Sequence, residues 1–151
     1  MSLDKELYLP KAKVGNNSFI SVFSHNYIHY YVIGSPIIQS PANMANVGAI
    51  AVRHAYSIDN KLDDGLPMSG RVSVRGTTRL SVSIPPMYTI WYNNSSGTGS
   101  YIGNQLVPVT NATAASDTTC WDNNNSAGET QRYSIAQNGG NGTNCAISIK
   151  F

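Results

Sequence analysis

The stretch Ala55-Tyr56-Ser57-Ile58-Asp59-Asn60-Lys61-Leu62-Asp63-Asp64-Gly65-Leu66-Pro67-Met68-Ser69-Gly70-Arg71-Val72 holds two backbone periodicities and the break between them. Upstream of Leu62, the apolar residues Val47, Ile50, Ala51, Ala55, Ile58 and Leu62 recur at three- and four-residue steps. This spacing predicts a helix from about Ala42 to Leu62 with one buried stripe. Arg53, Asp59 and Lys61 are expected to fall largely away from that stripe. Pro41 suits a helix start, where its missing N–H costs little. Gly65 suits the stop, because glycine tolerates the left-handed conformation after a last turn. Pro67 forbids continuation. After Gly70 the period becomes two: Arg71-Val72-Ser73-Val74-Arg75 alternates as a half-buried strand does.

Working outward, strand signals dominate. Phe19 to Phe23 follows the turn-like Gly15-Asn16-Asn17, and Tyr27 to Ile33 is dense in aromatic and β-branched residues. Gly34-Ser35-Pro36 punctuates that run. Gly76-Thr77-Thr78 is short enough to join Arg71–Arg75 to a second alternating run, Arg79–Ile84, as a hairpin. Met87–Tyr92 and Tyr101–Val109 read as strands on either side of a polar loop, Asn93–Ser100. Thr110–Glu129 is a long Asn-rich loop, Gln131–Ala136 a strand, and Gln137–Asn144 a glycine-rich turn. Ala146–Phe151 closes the chain with Ile147, Ile149 and Phe151 on one face. The fold class expected is α+β: one amphipathic helix packed on an antiparallel β-sheet. A chain of 151 residues suits a single domain, here 4–151. Met1-Ser2-Leu3 reads as an expression scar, which places any targeting segment upstream.

Charged residues make up 12% of the chain, against about 25% in ordinary soluble domains. Asn, Ser, Thr and Gly supply the polarity instead, a balance common in surface and secreted β-rich proteins. The net charge is +2, and only Arg71, Arg75 and Arg79 approach a cluster. No basic face able to neutralise many phosphates is visible, so nucleic acid is not an expected partner. The two cysteines, Cys120 and Cys145, leave two readings: a disulfide formed outside the cytoplasm, or a pair of free thiols. A bridge would stabilise the fold by about 3 kcal/mol. No zinc spacing is present.

Catalysis needs convergent ionisable groups, and they are scarce; the chain is read as a non-enzyme with no cofactor. On one strand, His25 and His29 would share a face but stand about 13 Å apart, too far to share a metal. His54 is expected beside the helix stripe, partly buried. Asp59, Asp63 and Asp64 leave three readings: a calcium site, general acid–base work, or a polar helix end whose carboxylates bond backbone N–H groups. Negative charge at a helix C-terminus is mildly unfavourable, which argues that these aspartates have a specific structural duty. The glycine-rich stretches read as turns, and sequons such as those at Asn111 and Asn141 arise readily in this composition. The aromatics, with Trp91, Tyr92 and Trp121 as surface candidates, serve either sheet packing or a sugar- or protein-binding platform.

The exit segment resembles a motif of bacterial prepilin-like proteins. There, a helix with an Ala-Tyr, Ile-Asp, Lys pattern runs into Asp-Asp-Gly-x-Pro-x-Ser-Gly and then a strand. Asp59, Lys61, Asp63, Asp64, Gly65, Pro67 and Gly70 are the matching positions. Leu9-Pro10-Lys11-Ala12-Lys13-Val14-Gly15 is similar to the entry of that region. Asn144-Cys145-Ala146-Ile147-Ser148-Ile149-Lys150-Phe151 is similar to the family's ending. Thr77–Asp117 is not covered. The resemblance implies a pilin-like globular domain: a subunit of a type IV pilus or type II secretion pseudopilus. Its partners would be other such subunits and a host or secreted-substrate surface. It also implies an upstream apolar helix as the only membrane contact, and a bacterial cell-surface or periplasmic location. In that family a disulfide commonly ties a surface loop to the C-terminal strand, and Cys120 and Cys145 fit by position. The competing expectations are a secreted carbohydrate- or host-binding module, a calcium-stabilised domain, and a secreted hydrolase.

Overall fold

A computed structural model describes residues 4–25, 27–40, 43–76 and 112–151. Trp91 and Tyr92, the expected strands Arg79–Ile84, Met87–Tyr92 and Tyr101–Val109, and the Asn93–Ser100 loop lie outside the described residues.

The fold is α+β. A short helix α1 (Lys5–Tyr8), capped by the Asp4 carboxylate at the Glu6 N–H, leads to β1 (Phe19–His25). β1 pairs antiparallel with the first half of β2 (Ile28–Ser40), from Phe19 opposite Gly34 to His25 opposite Ile28. The far half of β2 pairs with β3 (Asn43–Val47). Then come α2 (Val52–Leu62), β4 (Val72–Gly76), the short β5 (Trp121–Asp122) and β6 (Arg132–Tyr133), and the C-terminal β7 (Cys145–Lys150). The main sheet runs β1-β2-β7-β4, with β3 on β2; β5 and β6 form a separate ribbon.

The alternation of the last strand is used as read from its sequence. Tyr31 and Ile33 of β2 lie opposite Ile149 and Ile147, which lie in turn opposite Val72 and Val74 of β4. One face therefore presents a row of branched residues, and α2 packs on β4 and β7 there. Ile50, Val52, Ala55, Val72, Val74, Cys120, Tyr133, Cys145 and Ile147 form the buried cluster, with Ile58 and Trp121 half-buried against it. The other face buries Phe19, Tyr30, Val32 and Ser148. Past the helix, Val22, Tyr31 and Phe151 stay exposed, the two rings stacked at 4.3 Å.

The helix is half as long as its apolar spacing suggests. Residues 43–47 belong to β3, and Ile50 bridges to Cys145, with both partners' N–H groups donating across the pair (2.9 and 3.1 Å). Val47 and Ile50 satisfy a three-residue step equally well as neighbours on extended chain, where pairing partners rather than local propensity decide. Gly48 explains the break physically. A Cβ there would fall 2.4 Å from the Asn144 carbonyl carbon, so only glycine lets this segment lie against the start of β7. The Val52 N–H, free in the first turn, donates to the Gly142 carbonyl (3.0 Å). The stripe also ends differently: Leu62 is exposed and Asp59 is fully buried, the reverse of the expectation for both. Gln131–Ala136 forms only the two-residue β6, and Gln137–Gly140 is a tight 3-10 turn. No described helix is long and apolar enough to cross a membrane.

Candidate functional site: a carboxylate-locked helix exit and its disulfide-tied lobe

Leaving α2, the chain must reverse into β4, which exposes the unpaired carbonyl end of the helix and the unpaired N–H groups of the turn. Three aspartates serve the N–H groups. Asp59, in the last turn, accepts from the Gly65 N–H (3.2 Å) and from the Tyr133 hydroxyl (2.6 Å). Asp64 accepts from the Leu66 N–H (2.8 Å) and the Ser69 hydroxyl. Asp63 reaches across the turn and accepts from the N–H groups of Arg71 and Val72, where β4 begins. Gly65 and Gly70 both take positive φ, 73° and 72°. Pro67 is fully buried, and its carbonyl accepts from the Val74 N–H (3.0 Å). Lys61 is exposed in the last helical turn, where a cation suits the helix dipole.

Six of the seven sequence-matched positions thus converge on one structure, with Lys61 exposed beside it. One oxygen from each of Asp59, Asp63 and Asp64 can be chosen so that all lie within 4.8 Å of one another. These carboxylates already accept from four backbone N–H groups and two hydroxyls. Those bonds to backbone N–H groups are the ones the polar helix-end reading of these aspartates expects.

Burial pushes the Asp59 carboxyl up to about 6 from 3.8. The Tyr133 and Gly65 hydrogen bonds work against the rise, while Asp64 and Asp63 add to it. Burial, and then the bond to Asp59, push the Tyr133 hydroxyl upward. Since Asp59 binds its proton more tightly in the fold than in the unfolded chain, its contribution favours the fold at low pH. That contribution is fully present below about 3.8 and is lost as pH rises through about 6. Stability should therefore fall between roughly pH 4 and pH 7 on this group's account, by on the order of 1–2 kcal/mol because solvent at the turn screens part of the interaction. Urea unfolding across that range measures it. Asp59→Asn, which keeps an acceptor without the charge, should flatten the slope; an unchanged slope would assign the pH dependence elsewhere.

Tyr133 joins the exit to a lobe spanning residues 112–140. Cys120 and Cys145 form a disulfide with Cα atoms 5.2 Å apart, both fully buried, so the lobe is bonded to β7. Inside it, the Asn123 side chain accepts from the Thr113 N–H (2.7 Å) and donates to the Glu129 carbonyl (3.2 Å). The Asn125 N–H donates to the Thr113 carbonyl (2.9 Å). Asp122 is buried and accepts from the Asn124 N–H (3.1 Å) and the Ser134 hydroxyl. Trp121 packs half-buried against the core cluster.

The histidines do not gather. His25 and His29 sit on different strands, β1 and β2, which corrects the one-strand reading. His29 packs near the Phe151 ring, at 5.8 Å. His54 is exposed rather than partly buried. Sequence reading missed Tyr133, Asp122, Asn123 and Ser134. The Asp59–Tyr133 pair spans 74 residues, and β5 and β6 are too short to show an alternation. No protein-family model, curated protein or solved structure matches the chain.

Proposed function

We propose that this chain is a structural subunit of a type IV pilus or a type II secretion pseudopilus, acting by assembly and surface contact. The observation that carries the reading is the exit from α2. The residues that resemble the prepilin motif are the ones that lock helix, turn and strand together. A fibre subunit has to hold its contact surfaces fixed under load. Here β7 lies between β2 and β4 and carries the disulfide, so force on the lobe passes into the middle of the sheet. Its partners in this reading are neighbouring subunits and a host or secreted-substrate surface, at the bacterial cell surface or periplasm. Anchoring would come through an apolar helix upstream of Asp4.

The sequence of the intact gene product upstream of Asp4 tests this. The expected result is a short basic leader, a processing site and about 20 retained apolar residues, the length a bilayer requires. A cleaved signal peptide followed directly by the folded part would overturn the subunit reading and favour a free carbohydrate- or host-binding module.

A further inference from the structure

The glycine-rich turn before β7 contains two Asn-Gly pairs, Asn138-Gly139 and Asn141-Gly142. Asn138, Gly139 and Asn141 are all exposed. In such a pair the glycine nitrogen can attack the asparagine side-chain carbonyl, because no Cβ on the second residue blocks the approach. How firmly the backbone around the pair is held decides whether it does so in the folded chain. The fold holds these two pairs very differently.

Little restrains the first pair. The Asn138 backbone is left-handed, φ 49° and ψ 33°, a region that asparagine tolerates better than most residues. A Cβ built on Gly139 would meet only the Asn141 side chain, at 3.5 Å. The Asn138 carbonyl accepts from the Asn141 N–H (3.1 Å) and from Asn141 Nδ2 (2.9 Å), both bonds joining exposed residues. Asn141 differs on each count. Its side-chain nitrogen is committed to the second of those bonds. Gly142 is packed: a Cβ there would fall 2.4 Å from Asn144 Nδ2 and 2.7 Å from the Asp117 carbonyl oxygen. The Gly142 carbonyl also accepts from the Val52 N–H (3.0 Å). Turning the Gly142 nitrogen toward Asn141 would disturb that packing and release the start of α2.

We infer that Asn138 is a site of spontaneous deamidation that the fold leaves open, while Asn141 is protected. The Gly139 nitrogen bonds to Asn138 Cγ and gives its proton to solvent; the Cγ–Nδ2 bond breaks and ammonia leaves. Water then opens the cyclic imide at either carbonyl. The products are aspartate and isoaspartate, the latter with the main chain rerouted through the side chain. No electrons are exchanged, and water is the co-reactant. Either product lowers the net charge by one, from +2 to +1. Isoaspartate also adds a methylene to the backbone. The carbonyl that bonds Asn141 is then displaced, and the turn that packs on Arg53 through Gly140 loosens. The site rests on this turn alone and does not depend on fibre assembly.

Peptide mapping by mass spectrometry, on chain held folded in warm, mildly alkaline buffer, tests it. The guanidinium-unfolded chain is the comparison. In the fold, Asn138 should convert at least about tenfold faster than Asn141, because only Asn141 requires packed backbone to open. Unfolded, the two pairs should react at similar rates. Asn138→Gln should remove the fast conversion and leave the rate at Asn141 as it was. An intact Asn138 in the folded chain, conversion of Asn141 as fast as that of Asn138 there, or the same preference in the unfolded chain would overturn the proposal. None of these outcomes bears on the assembly reading, which is decided by the upstream sequence.

Discussion

Replacing Cys120 and Cys145 together by serine is expected to lower the unfolding free energy by about 3.5 kcal/mol. The bridge closes a separation of 25 residues, and loop-closure entropy of that size sets the figure. In a chain of this length the melting temperature should drop by about 10 °C. The effect should be local as well as global. β7 keeps its ladders with β2 and β4, whereas the lobe is left with the Asp59–Tyr133 bond, the Asn144 side chain's bonds to the Asp117 and Thr119 carbonyls, the packing of Trp121 and Tyr133 on the core, and its own turns. Hydrogen exchange should therefore rise first in residues 112–140. Urea unfolding of the double variant and of the reduced parent measures the total, and both should agree. A loss under about 1 kcal/mol would mean that noncovalent packing, not the bridge, holds the lobe.

Gly70→Ala is the second large effect, and Gly128→Ala is its internal control. Both glycines have positive φ, 72° and 89°, so alanine brings a similar backbone strain of about 1 kcal/mol at either position. They differ in space. A Cβ at Gly128 meets nothing within 4 Å, whereas at Gly70 it would lie 1.7 Å from Asp63 Oδ2. Asp63 must then move, and the Arg71 and Val72 N–H groups lose the acceptor that starts β4. Two charge-assisted bonds at about 1.5 kcal/mol each, added to the strain, predict a loss of about 4 kcal/mol at Gly70 against about 1 at Gly128. Equal losses would show that the carboxylate lock contributes nothing beyond backbone conformation.

The parts of the fold legible in the sequence were those governed by short-range periodicity. Val72 and Val74, and Ile147 and Ile149, alternate because each strand has one face against the helix, and the structure pairs these same residues. Gly65 and Pro67 marked the helix end because their backbone restrictions are intrinsic. The helix start was not legible: Val47 and Ile50 fit a helical step, but strand pairing and the close approach at Gly48 decide their conformation. Asp59 was placed on the polar side of the helix because nothing nearby announces its partner, a tyrosine 74 residues further on. The lobe was legible only as an Asn-rich loop. Its order comes from side chains such as Asn123 bonding backbone groups of Thr113 and Glu129, a pattern with no periodicity. Of the site, the exit residues and the cysteine pair were visible beforehand; a cleft built across β5, β6 and the turn between them was not.

The most direct test of the central claim is to shear surface fibres from cells that produce the intact protein and to probe the fibre fraction for it. The assembly account predicts the protein in that fraction. Fibres free of the protein, with the whole pool remaining soluble outside the cytoplasm, would contradict it.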